Sequence, residues 1–274
     1  MTNIHQPPAI SHLQLLKLGG SLITDKARPH TARPEVLARL AGEIASARQD
    51  NPGLQLILGH GSGSFGHFPA HHYGTRQGVH TPQEWMGFVE VWREAIALNR
   101  LVMDALEAAG LPAIPFAPSA SVLAVDGQVA SWKLAPLQAA LQSGLLPVVY
   151  GDVVFDTVRG GTILSTEDLF DHLARQLRPR RVLLAGLELG VWADYPACTK
   201  LVETITPANL SQVAPGIGGS AATDVTGGMA SKVEQSLVLV QNVPGLEVQI
   251  FSGEKPGAVR RALAGEPVGT IMRA

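Results

Sequence analysis

Short apolar runs alternate along the chain with stretches whose apolar residues recur every three or four positions. Residues 13–18 read as a buried strand, and Val36, Leu37, Leu40 and Ile44 give residues 34–48 one apolar helical face behind Pro34. Residues 54–58 form the next strand. A long helical pattern over 83–109 carries Trp85, Phe88, Val89, Trp92, Ile96, Leu101 and Leu106. Residues 111–116 return to a sheet, and 120–131 read as a hairpin turning at Asp126-Gly127. A helix over 134–142 leads into one strongly apolar strand over 145–155, followed by a turn at Arg159-Gly160-Gly161. Helices over 167–177, 229–240 and 256–264 then alternate with strands over 181–185, 247–251 and 269–272. This alternation predicts an α/β fold, an open sandwich with a mainly parallel central sheet covered on both faces. No repeat or linker divides it, so residues 1–274 read as one domain of two lobes, about 13–165 and 166–274.

Composition narrows the class. The 274 residues are 46% hydrophobic and 16% charged with a net charge of -2, enough for a large core and without the basic stripe that nucleic acid requires. One cysteine, Cys198, excludes an internal disulfide framework and fits a reducing compartment. No apolar run has the length of a membrane span, and the polar first twelve residues carry no leader pattern, so the expectation is a cytoplasmic protein.

Three glycine-bearing turns carry the candidate chemistry. In Lys17-Leu18-Gly19-Gly20-Ser21, followed by Thr24 and Lys26, a strand ends beside a turn whose N–H groups suit a phosphate. In Gly61-Ser62-Gly63-Ser64-Phe65-Gly66-His67 a glycine-dense turn ends on a histidine. This turn matches the dinucleotide pattern G-x-G-x-x-G, but Pro69 and Gly74 speak against the helix that the pattern must open, and no Walker A lysine closes it. The third turn, Thr223 to Met229, places Gly227-Gly228 at a helix start, with Thr226 as a cap and Lys232 one turn later. Gly151-Asp152 adds a fourth strand-end turn. Gathered together, these amides and lysines suit phosphoryl transfer, which is mostly positioning and charge stabilisation. His71, His72 and His80 read as lid or surface residues. No partner is evident for His5, His12, His30 or His172, and no cluster has metal-ligand spacing.

With these motifs the chain resembles the amino acid kinase fold and, within it, the isopentenyl phosphate kinases; the likeness runs from Leu15 to about Gly269. The Gly-Ser-Phe-Gly-His turn is its most specific part. The resemblance implies a homodimer that uses ATP and Mg²⁺ to phosphorylate a prenyl monophosphate, with no metal ligand from protein side chains. It implies that Lys17 and Lys26 stabilise the transferring group and that Gly19, Gly20 and Ser21 surround the ATP phosphates. Ser62, Gly63, His67 and Gly151 would hold the acceptor phosphate, with Gly63 also near ATP, while Gly228 and Lys232 contact ATP. A prenyl tail requires an apolar slot, for which Trp85, Phe88 and Val89 are the candidates. The chain departs from the family pattern twice. Ser165-Thr166-Glu167-Asp168 stands where Ser-Gly-Asp is usual, leaving either acid to organise the lysines. Residues 186–192, Gly-Leu-Glu-Leu-Gly-Val-Trp, lack both acids of the usual nucleotide-side motif. Alternatives are a kinase of the same fold for another phosphate, a phosphonate or a carboxylate, and a non-catalytic sensor.

Overall fold

Leu13 and Leu15 pack on one side of the first strand and Leu16 and Leu18 on the other, and this alternation founds a three-layer molecule. In the computed structural model, which describes residues 12–217 and 228–274, β1 (Leu13–Leu18) leads through α1 (Gly20–Ile23) to α2 (Pro34–Asp50). Next come β2 (Gln55–His60), α3 (Gly63–Tyr73), α4 (Pro82–Ala108), β3 (Ala113–Pro115) and α5 (Pro118–Ser121). The hairpin β4 (Val122–Val125) and β5 (Gln128–Trp132) precedes α6 (Ala135–Gln142), β6 (Leu146–Tyr150), β7 (Asp152–Asp156), β8 (Gly160–Leu164) and α7 (Thr166–Leu177). Then follow β9 (Arg181–Gly186), β10 (Val191–Trp192), β11 (Leu201–Val202), β12 (Thr204–Ile205), α8 (Leu210–Val213) and α9 (Gly228–Asn242). The chain closes with β13 (Glu247–Ser252), α10 (Ala258–Ala264) and β14 (Thr270–Met272).

The central sheet runs β12-β14-β13-β9-β1-β2-β6-β3, and every pairing in it is parallel except β13 with β14. Leu37, Leu40, Ile44, Leu98, Val102 and Val259 bring α2, α4 and α10 onto one face. Leu137, Leu169, Phe170, Leu173, Val233 and Leu237 bring α6, α7 and α9 onto the other. β1 lies at the middle, with the early strand β2 on one side and the late strand β9 on the other. A crevice opens at such a reversal of strand order, beyond the carboxyl ends of the strands. No helix among the described residues is long and apolar enough to cross a membrane.

The structure corrects three expectations. The apolar run over 145–155 is two strands, because Gly151 marks the point where the chain leaves the central sheet for a side sheet ordered β5-β4-β7-β8. Among the described residues, the long loop after 185 holds three two-residue strands and two short helical turns. The segment after the glycine turn is the eleven-residue α3 despite Pro69. Proline removes one helical N–H bond, but Phe65 and Pro69 are buried and Gly74, at φ 62°, stops the helix in the left-handed conformation.

Candidate active site

The carboxyl ends of β9, β1, β2 and β6 lie side by side, and the turns that follow them line one cavity of about 500 Å³. Gly19, Gly20 and Ser21 enter from β1; Gly61, Ser62, Gly63 and His67 from β2 and α3; Gly151 from β6; and Gly186 to Glu188 from β9. Lys17, Lys26 and Lys232 reach the same space. Of the predicted phosphate-handling residues only Gly228 is not on the wall; it is buried at φ 71°, at the first position of α9. Asp224 to Gly227, including the expected cap Thr226, lie outside the described residues.

The two leading turns interlock. A Cβ on Gly20 would fall onto the backbone of Gly63, and one on Gly63 onto Thr24 and the Gly20 carbonyl, so both turns need glycine to approach this closely. Gly63 also holds φ 51°. The buried Thr24 joins them: its hydroxyl donates to the Gly20 carbonyl (2.7 Å) and accepts the Ser64 N–H (2.9 Å). The glycine-dense turn is the amino end of α3, where the helix dipole favours an anion.

Lys17 shares the face of β1 with Leu13 and Leu15, the face that α7 covers. At the strand's end its ammonium meets Glu167 in the first turn of α7, and the side chains are only 12% and 20% exposed. Burial pushes the Glu167 carboxyl up, but the charge and hydrogen bond of Lys17, its own backbone N–H and the charge of Lys232 outweigh this and hold it below the usual glutamate range. Asp168 does different work. It closes a capping box with Ser165, accepting the Ser165 N–H and hydroxyl (both 2.8 Å), and takes Arg76 at 3.1 Å. Glu167 is thus the acid that touches the lysine.

His60, the last residue of β2, ties the site together from behind. Its carbonyl accepts the Thr166 hydroxyl (2.6 Å) and the Gly151 N–H (3.3 Å). Its buried ring stacks on Tyr150 and lies 3.1 Å from Asn99 of α4 and 3.2 Å from the Gly61 carbonyl. Burial lowers its pKa, with Lys17 acting the same way, so the ring serves as a neutral brace.

Asp152, beside Gly151, is buried and accepts N–H bonds from Ser119 (3.1 Å) and Val153 (2.8 Å), yet burial still pushes its pKa up to about 6. A raised carboxyl pKa contributes stability that is complete below the unfolded value and is lost as pH rises through the folded one. Unfolding free energy should therefore fall by up to roughly 3 kcal/mol between about pH 4 and pH 6 on this account. Denaturant titrations of wild type and Asp152→Asn should diverge over that window, with the variant lacking this component.

The residues expected to line a tail slot lie off the cavity. Trp85, Phe88 and Val89 are not on the cavity wall; Ala70, Val91, Ala95 and Ile163 supply its apolar part. Phe88 is buried one helical turn away with Val79 and Val153, and Trp85 meets Phe88 edge to face at 5.1 Å and the tilted ring of Phe155 at 5.9 Å. Val89 faces outward. On α4 the cavity-facing pair is Val91 and Ala95, an i, i+4 step that the heavier aromatic residues mask in the sequence. Sequence reading also missed His60, Arg76 and Gln77, the latter two on the cavity wall with His71. In the nucleotide-side segment, Glu188 lines the wall and accepts the Trp192 indole N–H at 3.2 Å.

Residues 12–252 match the model of the amino acid kinase family. An isopentenyl phosphate kinase of Methanothermobacter thermautotrophicus is 34% identical, the match covering 93% of this chain and 96% of that protein. One from Haloferax volcanii is 36% identical, covering 95% and 98%. A solved structure of isopentenyl phosphate kinase superposes with a TM-score of 0.80 at 30% identity, over 95% of this chain and all of the other.

Proposed function

The chain belongs to the amino acid kinase family, alongside its isopentenyl phosphate kinases, and from that premise we propose that it transfers the γ-phosphoryl group of ATP to isopentenyl phosphate, giving isopentenyl diphosphate and ADP. The observation that carries the reading is the convergence of the His67 turn, Gly151 and three lysines on one cavity with a small apolar annex.

In this reading Ser62, Gly63, His67 and Gly151 hold the acceptor phosphate, and the N-terminal lobe, to about residue 165, is the acceptor side. Gly19, Gly20, Ser21, Gly228 and Lys232 hold ATP. An acceptor oxygen bonds to the γ-phosphorus as the bond to the β,γ-bridging oxygen breaks, and ADP leaves. The attacking oxygen is already ionised, so no general base is required, and His67 acts as an orienting hydrogen-bond donor. Lys17 and Lys26 offset charge on the transferring group, with Glu167 fixing Lys17. Mg²⁺ fits as a companion of the ATP phosphates: the two acids on the wall, Glu167 and Glu188, are bonded to Lys17 and Trp192, and the described residues hold no cluster of three ligating side chains. It would supply further charge neutralisation there.

The reading extends to a homodimer in the cytoplasm. Val89, Trp92 and Ile96 form an outward i, i+3, i+7 stripe on α4, each more than a third exposed, which suits a self-association face.

ADP release from Mg-ATP with a panel of acceptors tests the function. Isopentenyl phosphate should support turnover, and carboxylates and carbamate should not; release with a carboxylate alone would overturn the assignment. The slot makes a separate prediction. Val91→Ala and Ile163→Ala should each widen the apolar annex and raise kcat/KM for longer prenyl monophosphates by about 10-fold, the worth of one or two methylenes. An unchanged chain-length preference in both variants would place the tail elsewhere.

A further inference from the structure

Lys26 is exposed at the tip of the connection between α1 and α2, yet it lines the cavity. A lysine on a free loop would lose much of its catalytic value to the entropy of being placed, so what fastens this loop matters. Internally the connection closes on itself: Thr24 bridges Ala32, and the Asp25 N–H donates to the Thr31 carbonyl at 2.9 Å. Externally it is fastened to the phosphate-binding turn through one residue. The Ser64 carbonyl accepts the His30 N–H (3.1 Å), and its hydroxyl accepts the Thr31 N–H (3.2 Å) and donates to the Thr31 carbonyl (3.3 Å).

The remaining tie is a side-chain anchor. His30 Nδ1 lies 2.6 Å from Glu94 Oε2, on α4, and the imidazole packs on the buried ring of Phe65 with centroids 4.3 Å apart. His30 also adopts φ 51°, a left-handed conformation that a non-glycine residue keeps only where its surroundings enforce it. The ring thus spans from the Lys26 loop across α3 to α4, the helix that supplies Val91 and Ala95 to the cavity.

We propose that His30 and Glu94 are positioning residues for phosphoryl transfer, clamping the 24–32 loop so that Lys26 is held at the cavity. This rests on the reading that Lys26 acts on the transferring phosphoryl group. The clamp makes the α3 turn, α4 and Lys26 one mechanical unit.

A double-mutant cycle with Lys26 separates this from a general structural role. His30→Ala should lower kcat roughly 10- to 100-fold while changing KM for ATP less than about two-fold, the pattern of a displaced catalytic group. In a Lys26→Met background, His30→Ala should cause no further loss. Glu94→Gln, which can still accept from the ring, should keep more activity than Glu94→Ala. An equal loss from His30→Ala with and without Lys26, or no loss at all, overturns the proposal. Trypsin cleavage after Lys26 gives a readout independent of turnover: His30→Ala should accelerate it about 10-fold by raising the open population of the loop, at unchanged global stability. Unaltered cleavage overturns the clamp. Wild-type protein that phosphorylates no monophosphate, with accelerated cleavage in the variant, overturns the kinase reading and leaves the clamp standing.

Discussion

Lys17→Met is expected to lower kcat by about 10²- to 10³-fold, because it removes a preorganised cation worth ~3–4 kcal/mol to the transition state. The loss should fall on kcat more than on either KM, since the charge that Lys17 meets grows during transfer. A second consequence follows from Glu167. Its carboxylate is held ionised chiefly by Lys17 against the cost of burial, so removing the lysine leaves an acid with only Lys232 and its own backbone N–H in support. The single variant should therefore lose stability as well, within the ~3–5 kcal/mol range for breaking a buried pair and toward its lower end given the partial exposure of both side chains. Adding Glu167→Gln should restore much of that stability and none of the turnover. Single-turnover kinetics beside chemical denaturation of the three proteins check both halves. Stability and activity recovering together would mean that the pair is architectural.

His67→Ala is expected to cost about 10²-fold or more in kcat/KM for the acceptor, comparable to losing one donor to a developing anion. ATP binding should stay within about two-fold, because in the proposed reading the His67 side chain meets the acceptor phosphate and not the nucleotide. Isothermal titration with ATP alone and steady-state kinetics with isopentenyl phosphate separate the effects. An equal loss of ATP affinity would place His67 on the donor side of the cavity.

Much of the fold was legible because its strands are short, apolar and separated by well-marked helices: β1, β9 and β13 lie within a residue or so of the runs that announced them. The β4–β5 hairpin turns at Asp126-Gly127, both at positive φ, as that dipeptide favours. What was hidden depended on contacts remote in sequence. Gly151 divides one apolar run between two sheets, and no local signal distinguishes that corner from a strand interior. α3 contradicts its own propensities, with Pro69 inside it, because burial of Phe65 and Pro69 decides the matter. The glycines and lysines that line the cavity were visible as motifs in the sequence. The apolar slot was not, since periodicity on α4 marks a stripe without saying which neighbour each residue meets. Phe88 and Val91 share one buried cluster with Val153 of the side sheet, and of the two the smaller Val91 also lines the cavity, together with Ala95. Glu167 was one of two candidate acids, and the capping box that occupies Asp168 separates them.

The central claim is that one cavity brings an acceptor monophosphate to the γ-phosphoryl group of ATP. The most direct measurement is phosphorus NMR of the wild-type protein with Mg-ATP and isopentenyl phosphate. The account predicts that the monophosphate singlet gives way to the paired doublets of a diphosphate ester, with ADP formed in equal amount. An unchanged monophosphate singlet, whether ATP stays intact or is hydrolysed to ADP and inorganic phosphate, would contradict it.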